Sequence, residues 1–418
     1  MKKTMTAAAL LSAVALAASG CAAGTANSEG PIQIEFWHGY TEADGEVLND
    51  LVEEFNASQD GIEITPSIKP WATLLDTALP ALSSNTGPEL VALPAENVPV
   101  WASKGALHDL DEWYSTAGSG ADVLNEGAVA TGIVEGAHYA APLSFTPLTM
   151  FYNAAMFETA GVDVPTTWDE WVDAANALTI DENGDGSPEQ YGLALQDHGT
   201  VGNGVWPSLF KSGGGDVVTA DGAAVIDSPE NVETLKYWQD ALAAGGFSPT
   251  GLAGADADGL FSAGQVAMTL AGPWMATVSE SAGIDFGIAP LPAGPDGIKA
   301  SALAVDLSVT SQATDAERAA IQEFLTWFYQ KENMVTWSLA SGWPPLTTEV
   351  TPADVAENEV VAALTDQSQY GAALLPGVIP STDVLTAMDT ATQKALAGGD
   401  VASLLTSAQQ EIEAALAG

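Results

Sequence analysis

The chain is poor in cations and nearly free of thiols. Its 418 residues carry 10 Lys plus Arg against 55 Asp plus Glu, a formal net charge of −45. A nucleic-acid partner needs a basic stripe, and so few cations among so many acids supply none. The same charge repels an anionic membrane surface and keeps the protein strongly solvated. Arg318 is the only arginine, so the side chain that usually grips phosphate or carboxylate bidentately is almost missing. Cys21 is the one cysteine, which excludes an intrachain disulfide and a zinc site built of several thiolates. The four histidines, His38, His108, His138 and His198, are far apart and form no local metal motif. No G-x-S-x-G elbow, H-E-x-x-H pair or P-loop occurs. There is no internal repeat with a period of about 20–50 residues. Beyond the leader, no stretch of about 18 uninterrupted apolar residues is present to span a bilayer.

That leader is the first positive feature. Lys2 and Lys3 precede an apolar run, Ala7–Ala18, and small residues then lead to Cys21. This is a secretory signal, residues 1–20, to be set aside in fold reasoning. Ala18-Ser19-Gly20-Cys21 resembles the bacterial lipobox, although Ala18 stands where a branched aliphatic residue is usual. The resemblance implies lipid on the Cys21 thiol and a protein anchored on the outer face of the cell membrane; plain secretion is the alternative. Residues 21–30 are small and polar and read as a flexible tether.

The body opens with an alternating run, Ile32–Trp37, that reads as a strand. Val47, Leu48, Leu51, Val52 and Phe55 then recur at helical spacing. A second strand at Ile62–Ile64, a helix from Trp71 to Ser83 and a turn into a strand at Gly87–Val91 follow. This β-α-β-α-β order predicts a parallel sheet covered by helices. Ligands of such sheets sit beyond the carboxyl ends of the strands. Trp37, His38, Trp71, Glu96 and Asn97 are therefore expected on one rim. The stretch Tyr139–Pro147 is extended but broken by Pro142 and Pro147, so it belongs at a sheet edge or on a crossing between domains. Strand character resumes at Leu148–Tyr152, Gly161 stops the next helical turn, and Thr167 with Glu170 forms a capping box. Asp181, Asn183, Asp185 and Ser187 alternate as oxygen donors, with Gly186 at the sharp turn. They read either as the first half of a structural calcium loop or as an Asx-rich turn, and Gly192 stands where a calcium loop has its bidentate Glu.

Three motifs carry a family resemblance. The first is Phe151-Tyr152-Asn153, Ala160-Gly161 and Thr167-Trp168-Asp169-Glu170-Trp171. The second is Leu260–Met268 followed by Trp274, and the third is Phe36-Trp37-His38-Gly39. In order and spacing they resemble the extracellular solute-binding proteins of carbohydrate ABC importers, the cluster that includes maltose-, trehalose- and glycerol-3-phosphate-binding proteins. The resemblance implies a periplasmic-binding-protein-like α/β fold: two lobes, each with a central mainly parallel sheet, joined by a hinge of crossing strands. Residues 31–141 and 284–330 are expected in the first lobe, and 142–283 and 331–418 in the second.

It also implies a site. Besides the rim residues, Phe145, Thr146, Asn203, Trp206, Trp274 and Trp343 are expected to contact ligand. The chain holds 12 Trp against 8 Tyr, and indole faces stack on the C–H surface of sugars while acids and amides take the hydroxyls. A neutral mono- or oligosaccharide, no resident cofactor and no catalysis are expected, with delivery to importer permease subunits. A polyol phosphate such as glycerol 3-phosphate, or a secreted glycosidase, is the alternative.

Overall fold

The computed structural model describes residues 30–41, 43–197, 202–219 and 222–417. The signal sequence, Cys21, the tether up to residue 29 and His198 lie outside the described residues.

Two sheets organise the chain. In the first, β1 (Ile32–His38) pairs in parallel with β2 (Ile62–Ile68) and β3 (Leu90–Pro94). A small hairpin, β4 (Ile133–Val134) and β5 (Ala137–His138), lies beside the path to β6 (Ala141–Pro147). The second sheet is formed by β7 (Thr149–Asn153), β8 (Met268–Ala271) and β9 (Phe286–Ala289). The long strand β10 (Ala300–Val309) returns to the first sheet, where it runs antiparallel to β3 and β6 and meets the short β11 (Gly371–Ala372) in parallel.

Three expected helices form where their local signals place them. Helix Ala43–Ser58 buries Leu48, Leu51, Val52 and Phe55, one stripe at i, i+3, i+4 and i+7. Helix Trp168–Leu178 starts at the Thr167–Glu170 capping box. Gly161 ends the preceding helix at φ 65°, a left-handed conformation that costs glycine nothing.

The broken run at Pro142 and Pro147 crosses between the sheets, as expected. Strand β6 pairs with β10 in the first sheet, and two residues later β7 begins in the second. Pro142 faces Asp306 beside a register shift between Val305 and Asp306, where a missing N–H is tolerated.

Three boundaries move from their expected places. Strand β6 belongs to the first sheet, so residues 142–147 do not open the second lobe. Strand β9 pairs with β7, so the second lobe continues past residue 284. Helix Lys331–Ser341 buries Met334 and Trp337 in the first core, beside Leu48 and Phe328, so residue 331 does not begin the second lobe. The first core draws on Ile34–Phe145 and Ala302–Val361, the second on Leu148–Leu291, Ala300 and Leu375–Ile412. The second sheet also departs from a mainly parallel one: β7 is antiparallel to both neighbours, and the parallel pairings there are single bridges at Tyr191 and Ala194. The parallel character of the fold resides in β1, β2 and β3.

Candidate functional site

A cavity of about 300 Å³ lies between the two cores. Trp71, Pro94, Ala95, Glu96, Thr131 and Trp343 line it from the first; Gly204, Trp274 and Ala373–Pro376 line it as well. Ala302–Val305 of β10 contribute wall residues from the strand that returns between the sheets.

Each indole is held by specific neighbours. Trp71 opens helix Trp71–Ser83 directly after Pro70, and its ring lies so close to Gly39 that no Cβ fits there. Tyr40, 4% exposed, stands edge-on to Trp71 at 5.3 Å and to Trp343 at 6.3 Å between ring centroids. Its hydroxyl donates to Ser144 Oγ at 2.7 Å. The Trp343 indole N–H donates to Asp44 Oδ2 at 3.4 Å. Trp274 follows Pro273 at a helix start, and its ring folds back over Gly272, which again has no room for a Cβ. Its N–H donates to Asp258 Oδ2 at 3.0 Å. With those donors committed, Trp274 and Trp343 offer the cavity ring area rather than a hydrogen bond.

The electrostatics are one-sided. Glu96 is the only acid on the wall, and no Lys, Arg or His lines it among the described residues. Burial pushes the Glu96 carboxyl above the usual carboxylate range, and its own backbone N–H pulls back part of the way. Asp258 is likewise raised by burial and lowered by the Trp274 N–H.

Of the residues expected to contact ligand, Trp71, Glu96, Trp274 and Trp343 meet at this cavity. Others do not. Trp37 is buried among Leu74, Val91 and Trp101, with its N–H on Glu35 Oε1 at 2.6 Å and the Lys69 Nζ 4.0 Å from its ring centroid. His38 is fully buried between the rings of Phe36 and Tyr40, with Nε2 3.1 Å from Asn49 Oδ1, and burial lowers its pKa. A parallel strand covered on both faces buries successive residues, so Phe36, Trp37 and His38 are all inside. Phe145 and Thr146 are core residues of β6. Trp206 has no exposed surface, and its N–H donates to the Gln196 carbonyl at 3.2 Å in the second core. Asn97 ends the turn that carries Glu96 and is not on the cavity wall. The Asn203 side chain lies outside the described residues, while the next residue, Gly204, is on the wall.

Thr131, the β10 segment and Ala373–Pro376 line the cavity without having been expected there. They are small or aliphatic residues in ordinary contexts, and no local pattern marks them. Tyr40 and Asp44, which hold the indoles, sit only a few residues beyond the Trp37-His38-Gly39 motif.

The loop with alternating oxygens is closed by paired backbone hydrogen bonds between Ile180 and Gln190, at 2.8 and 3.2 Å. Asp181 accepts from the N–H groups of Gly184 and Gly186, Asn183 from Asp185, and Asp185 from Ser187, at 2.7–2.9 Å. These are Asx turns that hold the loop through its own backbone. Among the described residues, no three His, Cys, Asp or Glu side chains are grouped so as to hold a metal ion.

Comparison with known proteins places the chain. A solved structure of the cyclic alpha-maltosyl-1,6-maltose binding protein from Arthrobacter globiformis superposes with a TM-score of 0.81 at 28% identity, covering 93% of this chain and 99% of that one. The maltotriose-binding protein of Pyrococcus abyssi is 26% identical over 367 residues, 82% of this chain and 73% of the relative. The sn-glycerol-3-phosphate-binding periplasmic protein of Brucella melitensis is 28% identical over 354 residues, 79% of each. The family model of bacterial extracellular solute-binding proteins matches residues 39–335, from the glycine under Trp71 to the helix that packs behind Tyr40, and the chain belongs to that family.

Proposed function

We propose that the protein captures a neutral sugar or oligosaccharide between its two lobes and delivers it to the permease subunits of an ABC importer. One observation carries this reading: indoles packed against different cores, Trp71 and Trp343 against one and Trp274 against another, converge on one cavity whose wall holds no cation among the described residues. Aromatic rings bury the C–H faces of a sugar, and Glu96 is placed to accept from its hydroxyls. The similarity to binding proteins for maltose-type saccharides supports the same class.

Closure follows from the placement. A ligand that touches Trp274 as well as Trp71 and Trp343 gains its full contact only when the lobes are together, so it shifts the population toward the closed form. The closed form is what the permease would receive. On this reading lipid at Cys21 keeps the carrier on the outer face of the cell membrane.

The phosphate alternative, which the glycerol-3-phosphate-binding relative raises, is not favoured. Among the described residues the wall offers no charged fork to a phosphate, and Arg318 sits on another helix with its guanidinium 3.4 Å from Asp315. Glycoside hydrolysis needs two carboxylates flanking the scissile bond, and among the described residues the wall has Glu96 alone. Calorimetry and thermal shift against a panel of neutral oligosaccharides and glycerol 3-phosphate test the reading. Saturable one-to-one binding of a neutral saccharide without turnover is the expected result. Tight binding of glycerol 3-phosphate alone, or release of shortened sugars, overturns it.

A further inference from the structure

We propose that Asp306 is a neutral carboxylic acid in the folded protein and that its proton positions Thr131 on the cavity wall. The bearing on ligand rests on the cavity being the sugar site; the protonation does not.

Asp306 follows the cavity residue Val305 on β10, at the register shift against β6, and is 1% exposed. Thr131 Oγ1 lies 2.5 Å from the Ala128 carbonyl oxygen and 2.9 Å from Asp306 Oδ1. A threonine hydroxyl has one proton and a carbonyl has none. The short contact therefore takes the Thr131 proton to Ala128. The contact with Asp306 then sets two oxygens together, and a proton joins them only if Asp306 carries it. A protonated Oδ1 donates to the Thr131 lone pair, and the three oxygens Asp306 Oδ1, Thr131 Oγ1 and Ala128 O are joined by hydrogen bonds in sequence.

The other carboxyl oxygen agrees. Asp306 Oδ2 is buried and has no hydrogen-bond partner among the described residues. Left so, an ionised oxygen is far more costly than the carbonyl oxygen of an acid. The titratable groups that act on Asp306 or feel it are Glu96 from the turn after β3, Tyr40 from the loop after β1, Tyr114 and Tyr329. All are acids, so none supplies a positive charge. Nor do the phenols have a proton to spare: Tyr40 donates to Ser144, Tyr114 to the Ala140 carbonyl and Tyr329 to the Pro142 carbonyl. Burial accordingly drives the Asp306 carboxyl well above its ordinary range.

The sign of the pH effect follows. The folded state holds a proton that the unfolded state releases at the ordinary carboxylate pKa. Stability from this group is full below that value and falls as pH rises toward the folded pKa.

Infrared difference spectroscopy on the full chain, with 13C-labelled aspartate, tests the protonation at neutral pH without ligand. A protonated-acid carbonyl band that is absent in Asp306→Asn supports the proposal; no such band in the wild type, or its persistence in Asp306→Asn, overturns it. Melting should decline from acidic to alkaline pH in the wild type and more shallowly in Asp306→Asn, whose amide N–H replaces the acid donor. Equal slopes overturn the proposal. Maltotriose serves as the binding probe: affinity should weaken about three- to tenfold once the proton is lost, the scale of one neutral hydrogen bond, and stay level in Asp306→Asn. Measurable binding with no pH trend overturns the positioning of Thr131. No maltotriose binding counts against the sugar reading alone, and the infrared band still decides the proton.

Discussion

The Trp274 indole N–H donates to Asp258 Oδ2 at 3.0 Å, a bond between the first residue of a helix and an acid sixteen positions earlier. Trp343 is restrained in the same manner by Asp44, 299 residues away in the chain. Two aromatic platforms are thus fixed by carboxylates that a sugar need not touch, and their rings lose little freedom on binding.

Trp274→Ala should weaken saccharide binding by about 1–3 kcal/mol, the scale for burying an aromatic ring. Melting should fall as well, because Asp258 loses its donor while its Oδ1 has none among the described residues. Trp274→Phe keeps ring area but not the N–H. It should retain most of the affinity and raise the Asp258 pKa further, visible by NMR titration. Calorimetry showing unchanged affinity in folded Trp274→Ala would remove this ring from the site.

Trp206→Ala should act through stability instead. The side chain is fully buried in the second core and packs beside Phe210, so truncation should cost about 3–5 kcal/mol in denaturant unfolding. Any fraction that folds should bind sugar with near-normal affinity. A large affinity loss with unchanged stability would return Trp206 to the ligand contacts.

The 181–190 loop should be stable without a cation. Adding a chelator should leave the melting temperature unchanged, and elemental analysis should find no bound calcium. Asp181→Ala should destabilise by about 1–2 kcal/mol, since the N–H groups of Gly184 and Gly186 lose their acceptor. A chelator-dependent drop in melting, abolished by Asp181→Ala, would establish a calcium site instead.

Cys21→Ser should release the protein into the medium, because the thiol that would carry lipid is gone. Fractionation and mass spectrometry of the mature N-terminus read the outcome. A wild-type protein already free in the medium, starting elsewhere than Cys21, would contradict lipidation.

The sequence by itself determined the features that depend on neighbours within a few residues. The Thr167–Glu170 capping box, the Gly161 stop and the buried stripe of helix Ala43–Ser58 are local, and the structure keeps them all. The scarcity of cations was equally legible, and among the described residues the wall holds none. Which tryptophans face the cavity was decided only by the tertiary structure. Trp37 and Trp206 are among the expected ligand contacts just as Trp71 and Trp274 are, yet they are core. At the end of β1 Phe36, Trp37 and His38 are buried in succession, so the alternation of the run does not show which side meets the cleft, and Trp206 lies on helix Gly202–Ser212 inside the second core. The lobe boundaries were hidden for a related reason. The stretch Tyr139–Pro147 reads as extended, but only long-range pairing assigns β6 and β10 to one sheet and β9 to the other. The Thr131–Asp306 contact spans 175 residues, and no rule of local spacing brings those two oxygens together; the crossing of β10 between the two cores does.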